Sequence, residues 1–136
     1  MKTPIYFFFI CGLLLSLGQP AMAAGWADKL LGIWEGPGEG FGGDQYERRQ
    51  IRITFMQAEG YAAFGSKQWR AIGGEWSAPE PVQAILQQNG IFSAVDSDGY
   101  MNGKLANRSK LTYVYMEANL ADPKTSLNTL KRIEKR

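Results

Sequence analysis

Residues 89–116 read NGIFSAVDSDGYMNGKLANRSKLTYVYM, and this stretch decides the fold class. Asn89-Gly90 and Asp98-Gly99 are dipeptides typical of tight β-hairpin turns, because their residues accept the positive φ that such turns require. Short runs rich in apolar residues lie between and after them, and the clearest is LTYVYM at 111–116. The stretch therefore predicts consecutive antiparallel strands joined by short turns.

The same pattern continues toward both ends of the chain. Apolar and polar residues alternate through QIRITFMQ at 50–57, as they do in a strand with one buried face. Further strands are predicted at 32–36, 61–72, 82–87 and 127–133, after a short helical turn at 25–31. About eight strands in sequential hairpins, without a long crossover, favour an all-β, single up-and-down antiparallel barrel over a sandwich.

Residues 37–43 (PGEGFGG) interrupt this pattern. They carry too few apolar side chains for a central strand, and glycine and proline favour turns. We expect a turn or mobile loop here, at the rim of the barrel.

The N-terminal residues have the composition of a secretory signal peptide. Lys2 precedes an apolar block at 5–17, and Ala21-Met22-Ala23 supplies the small residues that a signal peptidase requires. A membrane anchor is the alternative, but the block is shorter than the ~20 residues that span a bilayer. A lipoprotein at Cys11 is disfavoured because the residue before it is Ile10. We expect a signal peptide at 1–23 and a barrel domain at 24–136.

Cleavage after Ala23 would leave 113 of the 136 residues and remove Cys11, the one cysteine of the chain. Export without disulfides is common in the Gram-negative periplasm, so we expect a periplasmic or secreted protein with no stable membrane insertion after cleavage. The charge is nearly balanced, with 15 basic and 13 acidic residues, and predicts no nucleic-acid partner.

The chain contains no histidine. Serine–histidine and cysteine–histidine catalysis and histidine zinc or haem sites therefore lack an essential residue, and we expect neither an enzyme nor a cofactor nor a metal site. Glu35 and Glu39 could form a glycosidase pair but are interpreted as solvated charges. Residues 96–99 (DSDG) resemble part of a calcium loop but fit a hairpin turn better, because the closing glutamate is missing.

Gly32-Ile33-Trp34 and Arg132 together resemble the calycin group, which includes the lipocalins. In lipocalins a G-x-W sequence opens the first strand, and a basic residue of the last strand stacks on its tryptophan. The resemblance implies that Arg132 seals the barrel over Trp34 through a cation–π contact. The segment LLGIWEGPGEG also resembles nitrobindin-like barrels, but the histidine that holds their haem is absent, so no haem is expected.

The resemblance implies a cup for a small hydrophobic molecule. The side chains that we expect to line it are Ile53, Phe55, Phe64, Trp69, Trp76, Phe92, Tyr113 and Tyr115. The alternative is that they fill the core, as aromatic residues commonly do in small barrels. A second functional hypothesis is a protein-interaction module, such as a protease or lysozyme inhibitor, acting through the loop at 37–43 or the hairpin at 96–102.

Overall fold

Eight antiparallel strands follow one another along the chain and close into one barrel, in the computed structural model of the protein, which describes residues 25–135. The predicted signal peptide at 1–23 and Arg136 lie outside these residues. A 3₁₀ helix at Trp26–Leu30 precedes the strands. The strands are β1 (Gly32–Gly42), β2 (Gln45–Glu59), β3 (Ala62–Ala71), β4 (Glu80–Leu86), β5 (Ile91–Val95), β6 (Tyr100–Ala106), β7 (Lys110–Glu117) and β8 (Lys124–Glu134). The predicted fold class is confirmed.

Antiparallel pairing of every strand with its neighbours, and of β1 with β8, gives the barrel two distinct ends. The turns at 60–61, 87–90 and 107–109 meet at the end that also carries the 3₁₀ helix. We call this the closed end. The connections at 43–44, 72–79, 96–99 and 118–123 meet at the opposite end, which we call the open end.

The 3₁₀ helix covers the closed end. Its Ala27 and Leu30 are fully buried, and the Ala27 N–H donates to the Gly60 carbonyl over 3.0 Å. Trp34 lies beneath the helix and donates its Nε1–H to the Leu30 carbonyl over 2.6 Å. The Arg132 guanidinium lies 4.6 Å from the centre of the Trp34 ring and donates to the Lys29 carbonyl.

The closed half of the interior is filled with side chains. Phe92 contacts Phe55 edge to face, with ring centres 6.3 Å apart, and Tyr113 at 5.9 Å. Each fully buried side chain of this size stabilises the fold by about 1.5–3 kcal/mol through removal of apolar surface from water. The other large, fully buried core residues are Ile53, Leu86, Met101, Leu111 and Leu130.

The prediction of a loop at 37–43 is wrong, because Gly32–Gly42 forms one continuous strand and only residues 43–44 form the turn. Glycine occupies every second position, at 36, 38, 40 and 42. Backbone pairing with β2 and β8 holds the strand, so it needs no large side chains. A Cβ at Gly36 or Gly40 would overlap a backbone carbonyl of β8, so the glycines allow the close approach of these two strands.

No helix within residues 25–135 has the length and apolar character needed to cross a membrane.

Candidate ligand cavity at the open end

A cavity of about 190 Å³ lies inside the open half of the barrel, above the packed core. Its walls come from inward-facing positions of β1, β2, β3, β7 and β8, together with Glu80 and Asp98. These strands alternate in side-chain direction, so most of the lining comes from every second residue. Glu39, Phe41 and Thr125, which have the outward parity, border the cavity at its rim. The cavity differs from the core in composition, because charged and aromatic side chains share its lining.

Aromatic rings form part of the wall, and cations of the protein stack on two of them. Trp69 faces inward from β3, and the Arg49 guanidinium lies 4.3 Å from the centre of its ring. The Lys67 ammonium lies 4.2 Å from the centre of the Tyr115 ring. Tyr113, one inward position deeper on β7, joins the cavity to the core.

Lys67 is a buried cation at the centre of an acidic cluster. Its ammonium forms an ion pair with Asp96 and another with Glu80 at 3.1 Å. Lys67 follows Ala63 and Gly65 on the inward face of β3, so strand alternation directs its side chain into the barrel. Charges buried to this degree are found in proteins when they are paired, as they are here.

The carboxyl group of Asp96 is held ionised by this arrangement. Its Oδ1 accepts hydrogen bonds from the backbone N–H groups of Asp98 (3.3 Å) and Gly99 (2.8 Å), which shape the turn between β5 and β6. Burial by itself would raise the pKa of Asp96, but the hydrogen bond and charge of Lys67 outweigh burial and lower it. The predicted hairpin turn at 96–99 is therefore present, and its first aspartate pairs with Lys67.

A second ion pair lies on the opposite wall. The Lys124 ammonium lies 3.3 Å from both carboxylate oxygens of Glu117, which is buried, and 3.5 Å from Asp122. Burial lowers the pKa of Lys124, but the hydrogen bond and charge of Glu117, aided by Asp122, outweigh it and raise the pKa. Lys124 is therefore held in its charged form.

Both tyrosines of the cavity wall are held protonated. Burial, and then the negative charge of Asp96, raise the pKa of Tyr113 above its ordinary value of 10.0. The same two causes raise the pKa of Tyr115, whose hydroxyl also donates to Asp98 over 3.0 Å. Both phenols therefore act as neutral hydrogen-bonding groups in the neutral pH range.

Glu80, Asp96 and Asp98 each place one oxygen within 4.8 Å of the others. This spacing would allow three carboxylates to share a cation, and the Lys67 ammonium contacts two of them. The cluster therefore already holds a cation supplied by the chain.

The eight residues predicted to line the ligand cup lie in three different places. Ile53, Phe55 and Phe92 are fully buried in the core below the cavity. Trp69, Tyr113 and Tyr115 line the cavity itself. Phe64 and Trp76 do not lie inside the barrel.

Phe64 lies between the buried residues Ala63 and Gly65 on β3, so it points outward and is 40% exposed. Trp76 belongs to the connection at 72–79. It stacks on the outer face of the barrel between Arg52 and Arg70, each 4.3 Å from a ring centre. The assignment of both to the interior is wrong, because apolarity does not by itself fix the face of a strand or the path of a loop.

Sequence reasoning missed polar members of the cavity, among them Arg49, Lys67, Glu117, Lys124 and Asn128. Two of them carried a usable signal. Lys67 shares the parity of Trp69 on β3, and Glu117 extends the parity of Tyr113 and Tyr115 by one step. Charged residues are usually exposed. Both residues were therefore expected to face solvent, although their position in the strand places them on the inward face.

No protein-family model matches the chain, and no curated protein matches it either. Among the solved structures that are similar to the chain are the following two. The structure of EF1p2_mFAP2b bound to DFHBI has a TM-score of 0.58 at 13% identity, over 78% of this chain and 95% of the other. The structure of a redesigned β-barrel, b11L5F_LGL, has a TM-score of 0.51 at 15% identity, over 78% and 93%. The likeness establishes the fold alone.

Proposed function

We propose that the protein is an exported, non-catalytic barrel that binds one small molecule in the cavity at its open end. The observation that carries this proposal is the division of the interior into a packed closed half and an unfilled open half of about 190 Å³. An apolar cavity of about 150 Å³ holds benzene in another protein. The size therefore suits a single ring with a short substituent.

The composition of the wall supports a ligand that is apolar in its body and polar at its edge. Trp69, Tyr113 and Tyr115 offer ring surface, which favours the small hydrophobic molecule expected from the sequence. A purely apolar ligand would remove water from the ion pairs around these rings, and this desolvation costs free energy. A ligand with one polar group avoids that cost.

A pair of substitutions on β8 tests the cavity. Ser126 lines it, whereas Leu127, the next residue, points outward and is 52% exposed. We expect Ser126→Phe to fill the cavity and abolish binding of single-ring probes, measured by tryptophan fluorescence titration, while Leu127→Phe leaves binding unchanged. Native mass spectrometry of the protein purified from its source would identify a retained ligand. A barrel that retains nothing and binds no probe would refute the proposal.

The non-catalytic part of the proposal is supported by the residue types that the chain lacks. There is no histidine, and the one cysteine is Cys11. An activity that persists through purification and is lost in Glu35→Gln or Asp98→Asn would contradict it.

The export part of the proposal rests on the N-terminal sequence alone. We expect the protein in the periplasmic or secreted fraction, with Ala24 as the first residue on N-terminal sequencing. A chain that retains Met1 in the cytoplasm would contradict this.

We also infer a relationship to the calycin group from the closed end. The stacking of Arg132 on Trp34, 4.6 Å apart, is the contact that the resemblance implied. It supports the relationship together with the eight-stranded closure.

The alternative of a protein-interaction module has less support. Residues 37–42 belong to β1 rather than to a loop, so they do not form a projecting inhibitory segment. In the second candidate, the hairpin at 96–102, Asp96 is engaged by Lys67 and Asp98 by Tyr115.

A further inference from the structure

The charges around the open-end cavity are not balanced. Three cations line it, namely Arg49, Lys67 and Lys124. Four carboxylates line it from inside the barrel, namely Glu47, Glu80, Asp98 and Glu117. Glu39 borders the cavity from the outer face of β1, where it is paired with Arg48. Asp96 adds a further negative charge beside Lys67. An excess of negative charge in a concave site attracts cations and repels anions, because low-dielectric walls weaken screening.

Each cation of the lining is already paired with a carboxylate of the protein. Arg49 contacts Glu47, Lys67 contacts Glu80 and Asp96, and Lys124 contacts Glu117. An anionic ligand would have to displace one of these carboxylates. The cavity therefore offers no ready partner for a negative charge.

The carboxylates are not all matched in this way. Glu80, Asp96 and Asp98 lie within 4.8 Å of one another around the single charge of Lys67. Asp98 has no cation within 4.0 Å among residues 25–135, and its side-chain partner there is the neutral hydroxyl of Tyr115 at 3.0 Å. This cluster thus has negative charge that one further cation would offset.

A second, independent observation concerns Asn128, which is 1% exposed and lines the cavity from β8. Its amide nitrogen donates to Ser126 Oγ over 3.0 Å, but its Oδ1 has no hydrogen-bond partner in the described part of the chain. A buried acceptor without a donor costs about 1–3 kcal/mol. The unmet polar atom that Asn128 contributes to the cavity wall is therefore an acceptor, and it lies against Gly38 of β1.

We propose that the ligand is a protonated amine on a single aromatic or apolar ring, with its ammonium group at Asp98 and its ring against Trp69 and Tyr115. This inference rests on the proposed binding function and specifies the chemistry of the ligand. An ammonium group at Asp98 supplies the positive charge that this carboxylate lacks. A divalent metal ion fits less well, because the Lys67 ammonium lies within the same cluster and would repel it.

Three probes of equal size separate the charge from the ring: 2-phenylethylamine, 2-phenylethanol and phenylacetate. At pH 7 and low salt we expect the amine to bind at least tenfold more tightly than the alcohol, and phenylacetate to bind more weakly than the alcohol. Because Asp98 is exposed, salt should screen its charge. The preference for the amine over the alcohol should therefore shrink at 0.5 M NaCl, where the Debye length is well below about 10 Å.

The variant Asp98→Asn removes the charge at the proposed contact. We expect it to weaken amine binding about tenfold and to affect alcohol binding much less. Asp28→Asn makes the same chemical change in the 3₁₀ helix at the closed end and should alter neither. Melting curves of both variants check that the fold is retained.

Equal affinities for the amine and the alcohol would overturn the inference and leave the proposed binding function intact. An amine preference that persists in Asp98→Asn would also overturn it. Failure of all three probes to bind would overturn both the inference and the proposed function.

Discussion

Trp34 is the residue on which the closed end depends. It is fully buried, its indole N–H is satisfied by the Leu30 carbonyl, and its ring face carries the Arg132 guanidinium. Trp34 lies opposite Arg132 in the β1–β8 pairing, so the same two residues mark the strand register at which the barrel closes. Burial lowers the pKa of Arg132, which donates to the Lys29 carbonyl.

We expect Trp34→Ala to lower the free energy of unfolding by about 3–5 kcal/mol, because it empties a fully buried aromatic site. Arg132→Ala should cost less. The two effects should be non-additive, because the residues are in contact. Urea unfolding of the single and double variants measures the coupling. Strict additivity would contradict the role of the stacked pair.

The Lys67–Asp96 pair gives a second prediction at the residue scale. Since the pKa of Asp96 is lowered in the folded state, the unfolded state binds its proton first as pH falls. The pair should therefore stabilise the protein above the ordinary pKa of 3.8, and this contribution should disappear as pH falls below it. Lys67→Met should cost about 3–5 kcal/mol at pH 7, because it leaves buried carboxylates unpaired.

Unfolding measured from pH 7 to pH 3 checks this prediction. In the double variant Lys67→Met/Asp96→Asn, part of the loss should be recovered, because the uncompensated charge is reduced. A Lys67→Met protein as stable as the parent would contradict the prediction.

At the scale of elements, β1 is held by its backbone rather than by its side chains. Its outer half carries glycine at alternate positions, and Gly36, Gly38 and Gly40 lie against β8. Position 40 illustrates the reason, since a side chain there would overlap the Thr125 carbonyl. The outer half of β1, one of the two strands that close the barrel, therefore carries few apolar side chains.

We expect Gly40→Ala to destabilise the protein by about 1–3 kcal/mol, the usual cost of forcing extra volume into a packed site. Gly74→Ala is the control, because a Cβ there would meet Ala71 at an ordinary 3.4 Å. Thermal unfolding of both variants measures the difference in stability. Equal melting temperatures would show that β1 and β8 can separate to accept a side chain.

At the scale of the whole molecule, closure leaves no free strand edge, so every strand has a hydrogen-bonded neighbour on both sides. The same closure encloses a single interior. Titratable groups that are buried in this interior therefore influence the stability of the entire fold. Tyr113 is the clearest case, because it is 2% exposed and stands between core and cavity.

We expect stability to fall in alkaline solution. Burial raises the pKa of Tyr113, so the unfolded chain loses its phenolic proton near pH 10 while the folded barrel retains it. The contribution of Tyr113 to stability should therefore be constant below pH 10 and should decrease above it by about 1.4 kcal/mol per pH unit. Tyr113→Phe should flatten the decline. An identical slope in the variant would contradict the prediction.

The sequence by itself determined the strands and their order. Period-two alternation and turn dipeptides are local properties, and a hairpin joins neighbours in the chain, so 50–57, 91–95 and 111–116 were predictable as strands. Predictions made from composition alone were less successful. Glycine at 36–42 indicated a loop, although pairing with β2 and β8 makes it a strand.

The tertiary structure decided which side chains face the interior and what the interior contains. Closure pairs β1 with β8, whose partner residues lie about 80 to 100 positions apart in the chain, and no local pattern encodes that contact. Phe64 and Trp76 are apolar but lie outside, whereas Lys67 is charged but lies inside, because other charges within the closed barrel compensate it. Such compensation depends on long-range pairing, so the polar cavity became visible only in the folded molecule.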